Sequence, residues 1–370
     1  MTVSRDFFTK TAIIRALKKW FPQHKKPQEK MMVSKIGYGL LSITLVFAGW
    51  TYSFADTTSL WNTEINHFFI DGGSSLYYMS NPEVKIASNS AGNPLAEISD
   101  TGYAPMYHLG IGYYFCNCGN NCMAKLLGNE NRVEFSVDYL DKHASTSRSN
   151  LGEGLFYFID GSGPATLPIP LSHFHLTAEH EYIGTKLYMS GVTESNNSRF
   201  TFNPFGGLVY TNLNEYYDFS ITYPIGRSTV DTDAENYTVK TNYFGAGGGE
   251  QANYSLTPYT SLFTRGELQL LYARSNLYAF QDTKVGAPGW DYSVTNHNVR
   301  ATYRALVSTG VQYQFLNALD SPQLAWSVGG DLWGDNPDVV VPRNTGKKIY
   351  INPKRQLDGF TQLQIIWPFY

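Results

Sequence analysis

Alternation at strand period, sustained over unusually long segments, most restricts what this chain can fold into. Across 299–315, Val299, Ala301, Tyr303, Ala305, Val307, Val311, Tyr313 and Phe315 share one face, and Arg300, Thr302, Arg304, Ser308, Gln312 and Gln314 the other. Across 132–140, Val133, Phe135, Val137 and Tyr139 oppose Arg132, Glu134, Ser136 and Asp138. Leu324, Trp326, Val328 and Leu332 oppose Gln323, Ser327 and Asp331, and Tyr107, Leu109, Ile111 and Tyr113 oppose His108, Gly110, Gly112 and Tyr114. Successive side chains of a strand point to opposite faces, so each segment has an apolar and a polar side. A soluble sheet buried on one face alternates in the same way. Two details favour lipid. The segments run longer than the five or six residues usual in soluble sheets, and Tyr, Trp and Phe gather at their ends, where a membrane interface holds them.

The final stretch repeats the pattern. Leu363, Ile365, Trp367 and Phe369 fall on one face, Gln362 and Gln364 on the other, and Tyr370 follows. A strand that is apolar outside, polar inside and aromatic at its tip suits a wall between lipid and water. Pro368 is unusual there, because it removes a ladder donor.

The N-terminal region speaks to compartment. Residues 31–55 read as a secretory signal: Lys35, an apolar run over 36–50, then Ser53-Phe54-Ala55, with cleavage expected after Ala55. Residues 1–30 are a basic leader or a mis-assigned start, and 56–70 a periplasmic or lumen segment ahead of a barrel over 71–370. Of 28 basic and 31 acidic residues, 1–55 hold nine and two, leaving 19 and 29 and a net charge of −10. Nothing forms a basic stripe, which excludes a nucleic-acid partner. No apolar run after residue 55 reaches helix-spanning length. A membrane protein without such runs must be a closed barrel, since only helices and barrels satisfy every backbone polar group in lipid.

The pattern places about twelve strands, within a range of ten to fourteen, near 73–80, 105–115, 131–140, 171–182, 185–193, 198–210, 215–224, 252–263, 266–280, 298–315, 323–333 and 358–370. Short turns are expected at 183–184, 211–214, 264–265 and 316–322, a short outer loop at 194–197, and long outer connections at 81–104, 141–170, 225–251, 281–297 and 334–357. Tyr237 to Phe244 is a candidate further strand. The fold class is an all-β, transmembrane, antiparallel up-and-down β-barrel. The chain from roughly residue 70 onward resembles Gram-negative outer-membrane β-barrel proteins of the porin and opacity-protein kind. Its last residues resemble the C-terminal signal strand of that class, with Trp367, Phe369 and Tyr370 as the assembly signal, although the class usually ends on the outward aromatic itself. The resemblance implies a place in the outer membrane, with outer-membrane lipid, lipopolysaccharide and the barrel-assembly machinery as partners.

Charged residues on polar faces are the candidate lumen and selectivity groups: Arg132, Glu134, Asp138, Arg300, Arg304 and Asp331, joined by His173, His175 and Glu179 from one polar strand face. In a channel they bias ion choice through the local field. Imidazoles two apart on a strand can share a metal or do acid–base work, but a hydrogen-bonded lumen network with Arg132, Arg300 and Arg304 explains them more simply. Cys116, Cys118 and Cys122 are disulfide candidates in an oxidising compartment, and three sulfurs leave one over for a second copy. A disulfide-linked or non-covalent homo-oligomer is therefore a candidate assembly. Asp231, Asp233 and Glu235 read as a solvated outer loop, and 245–249 as a glycine run without the helix a phosphate cradle needs. The leading expectation is a porin-like channel for small solutes or ions. A surface adhesin or structural barrel comes second, and a lipid-modifying hydrolase using His173 or His175 third. No cofactor, metal or enzymatic activity is expected.

Overall fold

In the computed structural model of the chain, the structure describes residues 67–80, 84–88, 94–98, 101–116, 130–149, 154–157, 164–167, 173–194, 199–225, 229–283, 290–316, 321–341 and 346–369. Ten strands close into a barrel: β1 (His67–Met79), β2 (Gly102–Cys116), β3 (Glu130–Ser149), β4 (His173–Glu194), β5 (Phe200–Ile225), β6 (Thr229–Ser255), β7 (Thr260–Thr283), β8 (Trp290–Gln314), β9 (Gln323–Asn336) and β10 (Lys354–Phe369). Each pairs antiparallel with its sequence neighbour, and β10 closes on β1 with Phe68 opposite Phe369 and Gly73 opposite Gln364. Closure removes the sheet edges that lipid could not satisfy.

The outward face explains why this sequence closes in lipid. Leu76, Leu109, Ile111, Leu208, Leu268, Leu270, Val307, Trp326, Leu363 and Ile365 are all exposed. One ring of aromatics bounds them at the end where β1 begins and β10 ends: Phe68, Tyr313, Trp367 and Phe369. Tyr78, Tyr103, Tyr210 and Tyr272 bound them at the other. Such a continuous apolar surface is untenable in water. Phe68 and Tyr78 are ten residues apart on β1, which at about 3.3 Å per residue and a tilt of roughly 40° gives the ~25 Å apolar band of an outer-membrane barrel.

The strands overshoot that band. β4 to β8 run 22, 26, 27, 24 and 25 residues, whereas crossing takes about 9–11. The surplus projects from the end opposite the start of β1, which the short-turn rule for such barrels makes the outer side. There the polarity of the wall inverts. Phe174, Leu176, Ala178, Phe219, Ile221, Tyr237, Val239, Leu277 and Ala279 point inward as one buried cluster. Outward positions carry Glu179, His175, Asn212, Asn214, Asn242, Arg274, Thr295 and His297. Above the lipid the barrel obeys the soluble rule, apolar in and polar out.

This inversion corrects the strand count and the turns. The segments expected at 171–182 and 185–193 are one strand, as are 198–210 and 215–224, while the segment expected at 252–263 straddles the turn between β6 and β7; the ten strands observed lie at the low end of the expected range. The turns expected at 183–184, 211–214 and 264–265 lie inside strands. Thr211-Asn212-Leu213-Asn214 is where β5 leaves the lipid. Its asparagines face water sideways rather than turning the chain. The short outer loop expected at 194–197 lies, beyond Glu194, outside the described residues; β4 ends and β5 begins at the end where β1 starts. Tyr237 to Phe244 is indeed strand, but Asp231 to Glu235 and the 245–249 glycines belong to the same β6 rather than to a loop.

Three outer connections add further sheet. Those after β1 and β3 supply a four-stranded sheet in the order Pro94–Ile98, Val84–Ser88, Gly154–Tyr157 and Pro164–Leu167. The connection after β9 pairs Val339–Val340 with Tyr350–Ile351 and buries Val339, Val341, Ile349 and Ile351 in the apolar cluster at the barrel mouth.

Candidate functional site

The lumen at lipid height is the chemically dense part of the molecule, and register builds it. His108 of β2 lies opposite Gly73 of β1 and Asp138 of β3, so all three face inward. Its Nδ1 meets Asp138 Oδ1 at 2.6 Å and its Nε2 meets Asp71 Oδ2 at 3.2 Å. Gln364 of β10 donates to the same Asp71 oxygen at 2.6 Å across the closing seam. Arg132 pairs with Glu134 at 3.1 Å, donates to Ser190 Oγ at 3.1 Å and lies over the Phe69 ring.

A second cluster gathers around Glu267 of β7. Lys186 lies 3.5 Å away, Arg265 3.2 Å away, and Tyr188 donates its hydroxyl at 2.6 Å. Tyr188 starts on β4, and its ring crosses β5 and β6 to get there. That path exists because Gly207 and Gly247 stand in register with it; a Cβ at Gly247 would collide with the Tyr188 hydroxyl. Part of the glycine run is thus a trough for one aromatic side chain.

Arg304 and Asp331 form the third cluster. Arg304 Nε and Nη2 grip the two carboxylate oxygens at 2.9 and 2.6 Å, and Nη1 donates to Tyr182 at 2.7 Å. Tyr77 also donates to Asp331. The guanidinium stacks 4.1 Å from the Trp333 ring centroid. Asp358 nearby accepts from Gln356 and from the Ser80 amide. Bidentate geometry and aromatic stacking are what keep a dehydrated arginine satisfied. The void beside it, lined by Tyr77, Tyr182, Leu213, Arg304, Trp333 and Asp358, is about 20 Å³, room for about one water. Arg300 sits higher, with Nε 3.4 Å from Asp335.

Six of the expected lumen groups, Arg132, Glu134, Asp138, Arg300, Arg304 and Asp331, therefore do face inward. His173, His175 and Glu179 do not. They are exposed on the outer side of β4, and the lumen network expected for them with Arg132, Arg300 and Arg304 is absent. His175 meets Ser147 Oγ at 2.6 Å, His173 meets Ser149 Oγ at 2.7 Å, and Glu179 lies 3.4 Å from His143. The cause is again the inversion: this part of β4 has left the lipid, so its polar face is the outer one. His180, on the other face, is buried within 3.5 Å of Glu215. Sequence reasoning missed His108, Lys186, Arg265 and Glu267 as site residues. The signal for His108 was legible, a histidine on a polar face followed inward by Gly110 and Gly112. Trp367 and Phe369 are outward and exposed as expected. Of the three cysteines only the backbone of Cys116 is described, closing β2; Cys118, Cys122 and Tyr370 lie outside the described residues, as does everything before His67.

No protein-family model and no curated protein matches the sequence. Solved structures similar to it are outer-membrane barrels. The outer membrane protease OmpT from Escherichia coli has a TM-score of 0.40 at 9 % identity, over 84 % of this chain and 99 % of that one. The translocator domain of the autotransporter NalP from Neisseria meningitidis has 0.34 at 11 %, over 90 % and 98 %. A Pseudomonas aeruginosa FadL homologue has 0.23 at 8 %, over 83 % and 91 %. At these identities the likeness bears on fold alone. The closed barrel, its apolar outward belt and its two aromatic rings define the architecture, that of a transmembrane β-barrel. One expectation is corrected here. A protease stands among the similar structures, so the barrel form does not separate enzymes from non-enzymes, and the expectation that the chain is not an enzyme is withdrawn.

Proposed function

We propose that the protein is a closed barrel that works at the cell surface, through its projecting wall and outer connections, as a recognition or adhesive element. The observation that carries this is a lumen occupied by paired side chains at two heights. At lipid height, charged groups from facing strands clasp one another. Above them, an apolar cluster and the docked connection after β9 fill the mouth. A passive pore needs a continuous wet path, and the void beside the Arg304–Asp331 pair has room for about one water. The porin-like reading keeps one observation in its favour, a hydrophilic lumen whose ion pairs could part. On our reading residues 31–55 are the export signal, and Trp367, Phe369 and Tyr370 address the chain to the assembly machinery.

Current across a planar bilayer tests the closed reading. The refolded wild-type barrel should be silent. Asp331→Ala should cost about 3–5 kcal/mol, because it strands Arg304 as a buried unpaired charge. Replacing both residues by serine should admit water and produce a leak. Discrete, reproducible steps from the wild-type protein would sink the closed reading and restore the channel.

A further inference from the structure

We infer that the barrel lumen contains a divalent-metal site of the zinc type, with Asp71, His108 and Glu134 as ligands and Asp138 orienting the imidazole. The three ligands come from β1, β2 and β3, adjacent in the barrel, and one ligand atom from each lies within 4.8 Å of the other two. Zinc bonds of about 2.0–2.1 Å in tetrahedral array put neighbouring ligand atoms roughly 3.3 Å apart, close to the 3.2 Å between His108 Nε2 and Asp71 Oδ2. A small inward movement of Glu134 would complete the set.

Three independent features point to a ligand rather than to a self-contained ion pair. The first is an unused ligand atom. Asp71 is 1 % exposed, and its Oδ1 has no hydrogen-bond partner. A buried carboxylate oxygen left bare is costly unless something binds it. The second is space. Gly110 lies opposite Asp71 on one side and Ser136 on the other. A Cβ there would stand 3.2 Å from Asp71 Cβ and 3.5 Å from Glu134 Oε1, so the glycine keeps open the floor between the two carboxylates. The third is orientation. His108 Nδ1 is already held by Asp138 at 2.6 Å, which turns Nε2 toward Asp71. A carboxylate on one imidazole nitrogen and a metal on the other is the usual outer-shell arrangement of a ligating histidine.

Charge among the nearest five side chains leaves room for a cation. Asp71, Glu134 and Asp138 carry three negative charges, and Arg132, bound to Glu134 through Oε2, returns one. A neutral His108 with a divalent cation brings the cluster to zero. A protonated His108 alone leaves these five side chains with a net charge of −1. One nitrogen and two carboxylate oxygens suit zinc, and first-row neighbours of zinc compete by the usual affinity order.

The test is Zn²⁺ binding to the refolded full chain in detergent, with heat-modifiable gel mobility confirming the barrel. One Zn²⁺ per barrel is expected after chelator stripping and equilibrium dialysis. His108→Ala and Glu134→Gln should each weaken that site at least tenfold, and Asp138→Asn by about 10–100-fold. Replacing Cys116, Cys118 and Cys122 by serine, or His173 and His175 by alanine, should leave it intact. If His108→Ala fails to fold, Gly110→Ala serves instead, since it fills the floor and removes no ligand. Co²⁺ in place of Zn²⁺ should give visible absorption that vanishes in the same variants. No tight Zn²⁺ in the wild-type barrel would overturn the assignment. So would binding that survives Glu134→Gln and Gly110→Ala, or that is lost with the cysteines.

Discussion

The two halves of β4 obey opposite rules. Toward the end where β1 begins, Leu187 and Ile183 face outward while Lys186 and Tyr188 face the lumen. Further out, His173, His175 and Glu179 face outward while Phe174, Leu176 and Ala178 are buried inside. The side-chain period does not change between the halves, nor does the register with β3 and β5. Only the surrounding medium changes, from hydrocarbon to water. The same strand is first the wall of an inside-out protein and then the wall of an ordinary one. An alternating strand therefore says which residues share a face, and the medium at each height says which face is in.

The comparison breaks hardest in the projecting core. Phe219→Ala should cost about 3–5 kcal/mol, as for other buried aromatics. It should open the upper parts of β4 to β7 to protease while the belt keeps its heat-modifiable mobility. Equal loss at both heights, read by amide exchange, would mean the wall folds as one unit. Next comes the belt. Leu270→Arg should cost about 2–4 kcal/mol and impair assembly, although Arg274, four residues along the same face, is native and exposed. If Leu270→Arg assembles as well as wild type, the lipid boundary does not lie between these two positions.

A smaller effect concerns the connection docked in the mouth. Burial raises the Asp338 carboxyl above its ordinary value of 3.8, against the pull of its partner Lys354. A raised folded value means that stability is fully present below the unfolded pKa and is lost as pH rises through the folded one. Acidification from neutrality should therefore tighten the 337–353 connection, read as slower amide exchange there, and Asp338→Asn should flatten that dependence. An opposite slope would show that the Lys354 pairing outweighs burial. The smallest effect is on the outer wall. Ser147→Ala removes an exposed hydrogen bond to His175 and should change stability by no more than about 0.5 kcal/mol. A larger loss in chemical denaturation would place that face in contact with something other than water.

Much of the barrel was legible beforehand. The β10 pattern from Leu363 to Phe369 identified its lipid face correctly, and so did 324–332 and 132–140, because those stretches lie wholly within the belt. The errors gathered where strands leave it. At 211–214 two asparagines read as a turn, yet they are what a strand wears on its outer side once that side meets water. At 264–265 the strand partner that explains Arg265 is Glu267, two residues along the same inward face. That pairing becomes evident only when Lys186 and Tyr188 arrive from β4. The metal-type constellation was less legible still. Its Asp71 lies in a stretch, 67–72, that had no strand assignment, and its hydrogen-bond partner Gln364 is 293 residues away.

Sequence alone determined that the chain alternates at strand period, that no apolar run after residue 55 is long enough to span a membrane as a helix, and that its apolar faces are rimmed by aromatics. Those are consequences of local covalent geometry and of side-chain type, and together they require a barrel in a membrane. Tertiary structure alone decided how many strands there are, how far they continue past the lipid, which face is interior at each height, and which charges meet across the lumen. These depend on closure. Inside and outside exist only once β10 has paired with β1, and the medium at a given residue is set by the height that pairing assigns to it.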